Sequence, residues 1–125
     1  MNKDFKFNIK DRNAYLQINL KGDVLRDDAC SFIKKAVELA EQKNVYKFLF
    51  NAKQATITGS QYSQQFFVLL DLNLIEYNRS YHAAILVNPD DKSHSFIVKV
   101  LKKHNHNVKL FTNAHKAKNW LLKKY

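Results

Sequence analysis

The chain has 125 residues, 46% of them apolar and 13% aromatic, which is the size and composition of one folded domain over residues 1–125. Its one cysteine excludes an internal disulfide, its longest apolar run (residues 66–70) is too short to span a bilayer, and its charged start is unlike a secretory signal. We therefore expect a cytoplasmic protein that is not an integral membrane protein. Its net charge is +10, and from residue 92 to 125 there are nine lysines and no acidic residue.

Two short segments with alternating apolar and polar residues predict an N-terminal β-hairpin, with strands at residues 5–9 and 15–20 and a turn at 10–13. A long amphipathic helix is predicted next, with Asp27 or Asp28 as its N-cap. Its apolar residues fall on one helical face: Ala29, Phe32, Ile33, Ala36, Val37 and Ala40. Cys30 borders this stripe and is interpreted as a small core residue rather than a reactive thiol.

The centre of the chain predicts a buried strand at residues 45–51, a connection at 52–59 and a very apolar helix from Ser60 to about Asn78. The core stripe of this helix is predicted as Tyr62, Phe66, Leu69, Leu70 and Leu74. A second apolar stripe, Val68, Leu72 and Ile75, lies on a different side. One sheet face cannot cover both stripes, so we expect the second to form a docking or dimer surface, or the wall of a pocket; burial by neighbouring elements is the alternative.

The rest of the chain predicts two more strands, at residues 81–87 and 107–111, each followed by a helix. Asp90 or Asp91 is the expected N-cap of the first helix, and Thr112 or Asn113 that of the second. The inward residues are predicted as Phe96, Ile97, Val100, Leu101 and His104, then Ala114, Ala117, Trp120 and Leu121. The order ββαβαβαβα, a hairpin and first helix followed by βαβαβα, predicts an α/β fold. Its five-stranded sheet is mixed, mostly parallel, with four helices on both faces.

This element order resembles that of STAS domains, the group that includes the bacterial anti-sigma-factor antagonists. The end of the chain, with residues 106–113 reading His-Asn-Val-Lys-Leu-Phe-Thr-Asn and then a helix carrying Trp120 and Leu121, is similar to the SpoIIAA-like branch. In that branch a helix, a glycine, a strand ending in Phe-Thr and a helix ending in Trp-Leu follow one another. Asn105 stands here in place of the glycine.

The resemblance implies a site in the loop before the central helix, where STAS regulators carry a serine that a partner kinase phosphorylates and where that kinase docks. The matching stretch is residues 51–60; it has Asn51 in place of the usual Asp and lacks the Asp-Ser-Ser-Gly sequence. Thr58, Gly59 and Ser60 are therefore candidate binding residues, and Ser60 and Thr58 candidate phosphoacceptors. The alternative is that one of these two hydroxyls is simply the N-cap of the helix.

Motifs for catalysis or metal binding are lacking. The sequence has no phosphate-binding Gly-rich loop, no nucleophile elbow and no Cys–His–Asp grouping, and His104 and His106 have no acidic or cysteine residue near them in sequence. We expect no enzyme activity, no cofactor and no metal. The predicted function is a non-catalytic STAS-type regulatory module that binds a protein partner or a second copy of itself.

Two alternative functions remain open. One is a carrier of a small apolar ligand or lipid, which predicts a cavity of some hundreds of Å3 between the central helix and the sheet. The other is weak binding of nucleic acid or anionic surfaces by the basic C-terminal third. Few aromatic residues accompany those lysines, so we do not expect base stacking.

Overall fold

The computed structural model describes residues 4–123, and five strands in this range form one sheet. The strands, which lie side by side in chain order, are β1 (Lys6–Asp11), β2 (Leu16–Val24), β3 (Lys47–Ile57), β4 (His82–Leu86) and β5 (Asn107–Phe111). β1 pairs with β2 antiparallel, and the other pairs are parallel. The predicted hairpin and the mixed, mostly parallel sheet are confirmed.

The helices lie on both faces of the sheet, as predicted. They are α1 (Arg26–Lys43), α2 (Gln61–Phe66), a π-helical segment (Phe67–Asp71), α3 (Leu72–Ile75), α4 (Ser95–Lys103) and α5 (Ala114–Leu122). α2, the π-helical segment and α3 follow one another without a break, and together we call them the central helix. Within residues 4–123 no helix is both long enough and apolar enough to cross a membrane.

The main core lies between one face of the sheet and three helices, namely α1, the central helix and α4. On the opposite face a smaller core forms where Ala117 and Leu121 of α5 pack against Leu49 and neighbouring strand residues. Consecutive residues of β3 thus point into different cores, and Phe48, Leu49 and Phe50 are all buried. The prediction that the central strand is buried on both faces is confirmed.

The central strand is longer than predicted, because residues 52–57 continue β3 and do not form a connection. Two small residues of this stretch, Ala52 and Ala55, are buried in the main core, and its backbone pairs with β2 as far as Val24 and Ile57. The ladder between β2 and β3 is irregular between Asn19 and Lys21, where β3 has one residue more than β2. Pairing resumes beyond this point, so β3 continues to Ile57. Only the three residues 58–60 remain as a loop.

Two predicted N-caps differ from the structure. Leu25 occupies the N-cap position of α1, and Asp28, three residues on, accepts a hydrogen bond from the Leu25 N–H at 3.0 Å. In a capping box, the side chain three residues after the N-cap accepts a hydrogen bond from the N-cap N–H, and Asp28 makes this bond. The carboxylate therefore stabilises the start of α1 from a position within the helix. Before α4, Asp91 accepts from the Ser93 N–H at 2.9 Å and so closes a turn; the helix begins only at Ser95.

The helix ends near the C-terminus agree with the prediction. Asn105 adopts a positive φ of 67°, the left-handed conformation that favours glycine or asparagine after a helix. Asn113 is the N-cap of α5, and its side-chain oxygen accepts from the Lys116 N–H at 3.0 Å. β5 has the predicted bounds, residues 107–111.

Candidate functional site

The loop formed by residues 58–60 connects the end of β3 to the central helix and is held by hydrogen bonds at each residue. The Thr58 N–H donates to the Val24 carbonyl, and Gln64 Nε2 donates to the Gly59 carbonyl, both at 3.1 Å. Ser60 Oγ accepts from the Ser63 N–H at 3.1 Å. Ser60 is therefore the N-cap of the central helix, which was the alternative interpretation of this residue. Both Thr58 and Ser60 are exposed, so their candidate phosphoacceptor role stays a prediction.

The two faces of the central helix are the reverse of those predicted. Val68 and Leu72, expected on the outer side, are only 3% and 2% exposed and belong to the main core. Tyr62 and Leu74, expected in the core, are 76% and 82% exposed. The prediction that Val68 and Leu72 form a docking surface is therefore wrong.

The π-helical segment keeps the inward residues of the central helix in line. The Leu72 N–H donates to the Phe67 carbonyl five residues earlier, which is the hydrogen bond of a π-helix. Inward-facing residues such as Gln64, Val68 and Leu72 recur every four positions, and on a regular helix of 3.6 residues per turn each such step rotates the side chain about 40° too far. One wide turn cancels this drift. The predicted core stripe has the same four-residue spacing, so spacing alone does not select the buried face of this helix.

An uncovered apolar face nevertheless exists on the central helix. We call it the outer row: Tyr62, Phe66, Leu69, Leu70 and Leu74. Beside it, Leu74 and Ile75 line a surface groove of about 520 Å3 against α1, where Lys34 and Glu38 form part of the other wall. Of the three residues of the predicted outer stripe, only Ile75 borders this groove, and it is half-buried against the main core.

A polar cluster joins the outer row to α1. The Arg26 guanidinium makes two hydrogen bonds to the Asp71 carboxylate, at 2.6 and 2.9 Å, and lies 5.7 Å from the centre of the Phe66 ring. The bond from Arg26 holds the pKa of Asp71 below its usual value. Cys30 Sγ donates to Asp71 at 3.3 Å, and burial together with this carboxylate raises the pKa of the thiol to about 11.

Asp71 was missed by sequence reasoning, although a signal was present. It is one of two acids, with Glu76, in the predicted apolar helix of residues 60–78. The structure gives it a partner 45 positions away, Arg26, which no local pattern identifies. Cys30 is half-buried, so its interpretation as a packing residue agrees with the structure.

A cavity of about 90 Å3 lies in the main core, between the sheet and the helices that cover it. Its walls are largely apolar and include Phe50, Phe67, Leu72, Tyr77 and Ile97. This cavity lies beneath the central helix, where the carrier alternative predicts one, but its volume is below the predicted hundreds of Å3 and too small for a lipid chain. Among the described residues no group of three or more His, Cys, Asp or Glu side chains could hold a metal ion.

Solved structures of low sequence identity share this architecture. An anti-sigma factor antagonist from Mycobacterium paratuberculosis matches with a TM-score of 0.61 at 7% identity, over 95% of each chain. SpoIIAA, an anti-sigma factor antagonist in its unphosphorylated form, matches with a TM-score of 0.54 at 15% identity, over 93% of this chain and 96% of its own. The chain has a SpoIIAA-like fold. An uncharacterised protein from Shewanella loihica described as SpoIIAA-like also matches, with a TM-score of 0.59 at 15% identity over 94% of this chain and 93% of its own.

The SpoIIAA-like fold is recognised here from its three-dimensional shape, since no protein-family model and no curated protein sequence matches the chain significantly. The motifs at the end of the chain that carried the resemblance take their expected places. Asn105 has the left-handed conformation of the glycine it replaces, and Trp120 and Leu121 lie on α5 against the sheet. At identities of 7–15% these matches establish the fold alone.

Proposed function

We propose that the protein is a non-catalytic STAS-type regulatory module that acts by binding another protein through the outer row and the 58–60 loop. The observation that carries this proposal is the exposure of five large apolar side chains on one helix. Monomeric proteins rarely leave a contiguous apolar surface of this kind uncovered unless it binds something. The similarity to anti-sigma factor antagonists supports a regulatory role of this class.

The chemistry around the outer row supports a protein partner in particular. Spacings of four residues, as between Tyr62, Phe66, Leu70 and Leu74, place apolar contacts along one helix in the manner of helix-mediated recognition. Charged side chains of both signs border the row, including Arg26, Lys34 and Glu38, as in the polar rim of an interface. A rim of mixed sign favours a protein surface over a polyanion, which would need basic residues alone.

The 58–60 loop would extend this surface and is where regulation would act. A phosphate on Ser60 would lie at the first turn of the central helix, where backbone N–H groups and the helix dipole favour negative charge. Intact-mass measurement after co-expression with a kinase encoded beside this protein tests Ser60 as the acceptor. A gain of one phosphate in the protein, absent from Ser60→Ala, supports it, and an unchanged mass argues against it.

The double variant Leu70→Glu/Leu74→Glu tests the proposed surface. Both side chains are already exposed, so we expect the fold to persist while two added charges oppose burial of the outer row against a partner. The control is Leu122→Glu, a leucine on α5 at the opposite face of the sheet whose exposure of 45% is close to the 50% of Leu70.

Sedimentation velocity over a range of concentrations and quantitative affinity purification from producing cells are the two measurements. We expect a self-association or a defined partner complex that the double variant weakens at least tenfold and Leu122→Glu leaves intact. If the wild type is monomeric at every concentration and retains no partner that the double variant loses, the proposal is wrong.

A further inference from the structure

The cavity in the main core continues towards the 58–60 loop. A second pocket of about 30 Å3 shares five lining residues with the cavity of about 90 Å3, among them Phe67 and Ile97. This second pocket reaches Gly59 and Ser63 at the start of the central helix. The two pockets therefore lie next to each other along the buried side of that helix, on the face away from the outer row, and we treat them as one internal space.

Each pocket contains a buried polar atom without a protein partner. Among the described residues the side-chain atoms of this kind are two, His106 Nδ1 and Gln64 Oε1. His106, which is 8% exposed, lines the larger cavity, and Gln64 lines the smaller pocket. Buried polar groups in folded proteins are normally hydrogen-bonded, so two such atoms in one internal space indicate that this space receives hydrogen-bonding groups.

The chemistry of the two atoms defines what they can bind. Gln64 Nε2 donates to the Gly59 carbonyl, which fixes the amide orientation and leaves Oε1 as an acceptor that requires a donor. Burial lowers the pKa of His106, with Arg79 and His104 adding to the effect, so its ring is neutral at pH 7. A neutral imidazole nitrogen pairs with a donor or an acceptor, according to its tautomer.

We propose that this internal space is a binding site for one small uncharged molecule with an apolar body and a hydrogen-bonding group that pairs with His106 Nδ1. An apolar cavity of about 150 Å3 accepts benzene, so by proportion the space here suits a molecule of about four or five non-hydrogen atoms. Among the described residues no Asp, Glu, Lys or Arg lines the larger cavity, and Arg26, which lines the smaller pocket, is already paired with Asp71, which argues against a charged ligand. This site is separate from the outer row and stands whether or not the outer row binds a protein.

Pyrazole and cyclopentane are the probes, since both are five-membered rings and only pyrazole can form hydrogen bonds. Each is titrated into the full-length protein while NMR follows the methyl groups of Leu72, Ile97 and Leu101, which line the cavity, and the ring nitrogens of His106. We expect saturable shifts of the cavity methyl groups with pyrazole, with half-saturation in the millimolar range or below, as the few atoms of the ligand allow. The His106 Nδ1 resonance should move with the same midpoint.

His106→Phe removes the polar atom and keeps a ring of similar size, so it separates hydrogen bonding from simple filling of the space. We expect this variant to weaken pyrazole binding at least tenfold, because the loss of one good hydrogen bond reduces affinity about tenfold. Cyclopentane binding should stay within about twofold of the wild-type value. His115→Phe is the matched control, because His115 is exposed on α5 and lines neither pocket, and it should leave both probes unaffected.

Three results would overturn the proposal. These are the absence of saturable shifts with pyrazole, equal pyrazole binding by wild type and His106→Phe, and the presence of only ordered water at His106 that pyrazole does not displace. The His106 nitrogen shift is measured on the wild type, so the proposal remains falsifiable even if the His106→Phe variant does not fold.

Discussion

Asp71 ties the central helix to α1 through an ion pair. It lies in the π-helical segment and joins that segment to α1 through its two hydrogen bonds from Arg26. Its side chain is largely buried, so removal of its charge would leave the Arg26 guanidinium without the acceptor that it faces. This ion pair therefore contributes more than an exposed surface pair of the same geometry.

The pKa shift of Asp71 predicts how this contribution depends on pH. The pKa is lower in the folded chain than in the unfolded chain, where it is about 3.9. A carboxyl shifted in this direction adds stability above its unfolded pKa and loses it as the pH falls through the folded value. We therefore expect Asp71→Asn to lower the free energy of unfolding at pH 7, and the difference from wild type to shrink as the pH falls below about 4.

Urea unfolding at pH 7 and pH 2.5 is the measurement, and Asp90→Asn, a change in an exposed loop residue, is the control. A difference between wild type and Asp71→Asn that is the same at both pH values would contradict the role assigned to the ion pair.

Ser60 illustrates a residue whose structural role is settled while its regulatory role stays a prediction. Because its hydroxyl caps the central helix, Ser60→Ala should reduce the free energy of unfolding by about 1 kcal/mol. Ser31→Ala is the control, since Ser31 lies within α1 and its hydroxyl bonds only to the Asp27 carbonyl, and it should change stability by less than about 0.5 kcal/mol. Equal effects of the two variants, measured by urea unfolding, would show that the cap has no energetic role.

At the scale of elements, the sequence predicted which segments are helices and strands better than where they begin and which way they face. Amphipathic periodicity places α1 correctly, because its buried residues follow a regular 3.6-residue period. The central helix has apolar residues all round, so periodicity alone cannot select its buried face, and the π-helical segment then changes the phase. β3 was predicted too short because residues 53, 54 and 56 are polar and exposed, which is typical of a loop.

Deletion of Leu70 tests the interpretation of the π-helical segment. With one residue removed from the wide turn, the inward residues 67, 68, 71, 72 and 75 would fall at the spacing of a regular helix, i, i+1, i+3, i+4 and i+7. We expect the deletion variant to fold and to lose less than about 1.5 kcal/mol of stability, since Leu70 is an exposed residue.

The control is deletion of Lys35, an exposed residue in the regular helix α1. It would turn the following core residues away from the sheet and should cost more than about 4 kcal/mol or prevent folding. Circular dichroism and thermal unfolding compare the two. If both deletions are equally damaging, the wide turn does not act as a tolerated one-residue insertion.

At the scale of the whole molecule, the sheet with its helices could be predicted because strand and helix signals alternate along the chain and right-handed crossovers leave few topologies. The cavity and the two unpaired polar atoms could not be predicted in this detail. The cavity and its polar atoms depend on how side chains from four or more helices and strands pack together. The residues next to His106 in sequence do not indicate that it lines a cavity. The sequence placed an apolar cavity beneath the central helix as one alternative, and only the structure sets its size.

The basic C-terminal third predicts a weak electrostatic property of the whole molecule. The lysines between residues 92 and 123 are all exposed and lie on or beside α4, β5 and α5, at one edge of the sheet. Binding to duplex DNA should therefore be weak, with a dissociation constant near 10⁻⁴ M at physiological salt, and should weaken steeply as salt increases. The double variant Lys116→Glu/Lys118→Glu should weaken DNA binding further. The control Lys34→Glu/Lys53→Glu has the same change in net charge and should weaken DNA binding less. Fluorescence anisotropy at several salt concentrations measures this, and equal effects of the two variants would contradict a localised basic edge.

The central claim is that the outer row of the central helix contacts another protein, and site-specific photo-crosslinking in the producing cells tests it most directly. A benzophenone amino acid replaces Leu74 in one sample and Leu122, on the opposite face, in the other. We predict one defined adduct from position 74, with a mass near twice 14.7 kDa for a second copy or another fixed mass for a different partner. This adduct should be lost when Leu70→Glu is added. No adduct from position 74, or the same adducts from both positions, would contradict it.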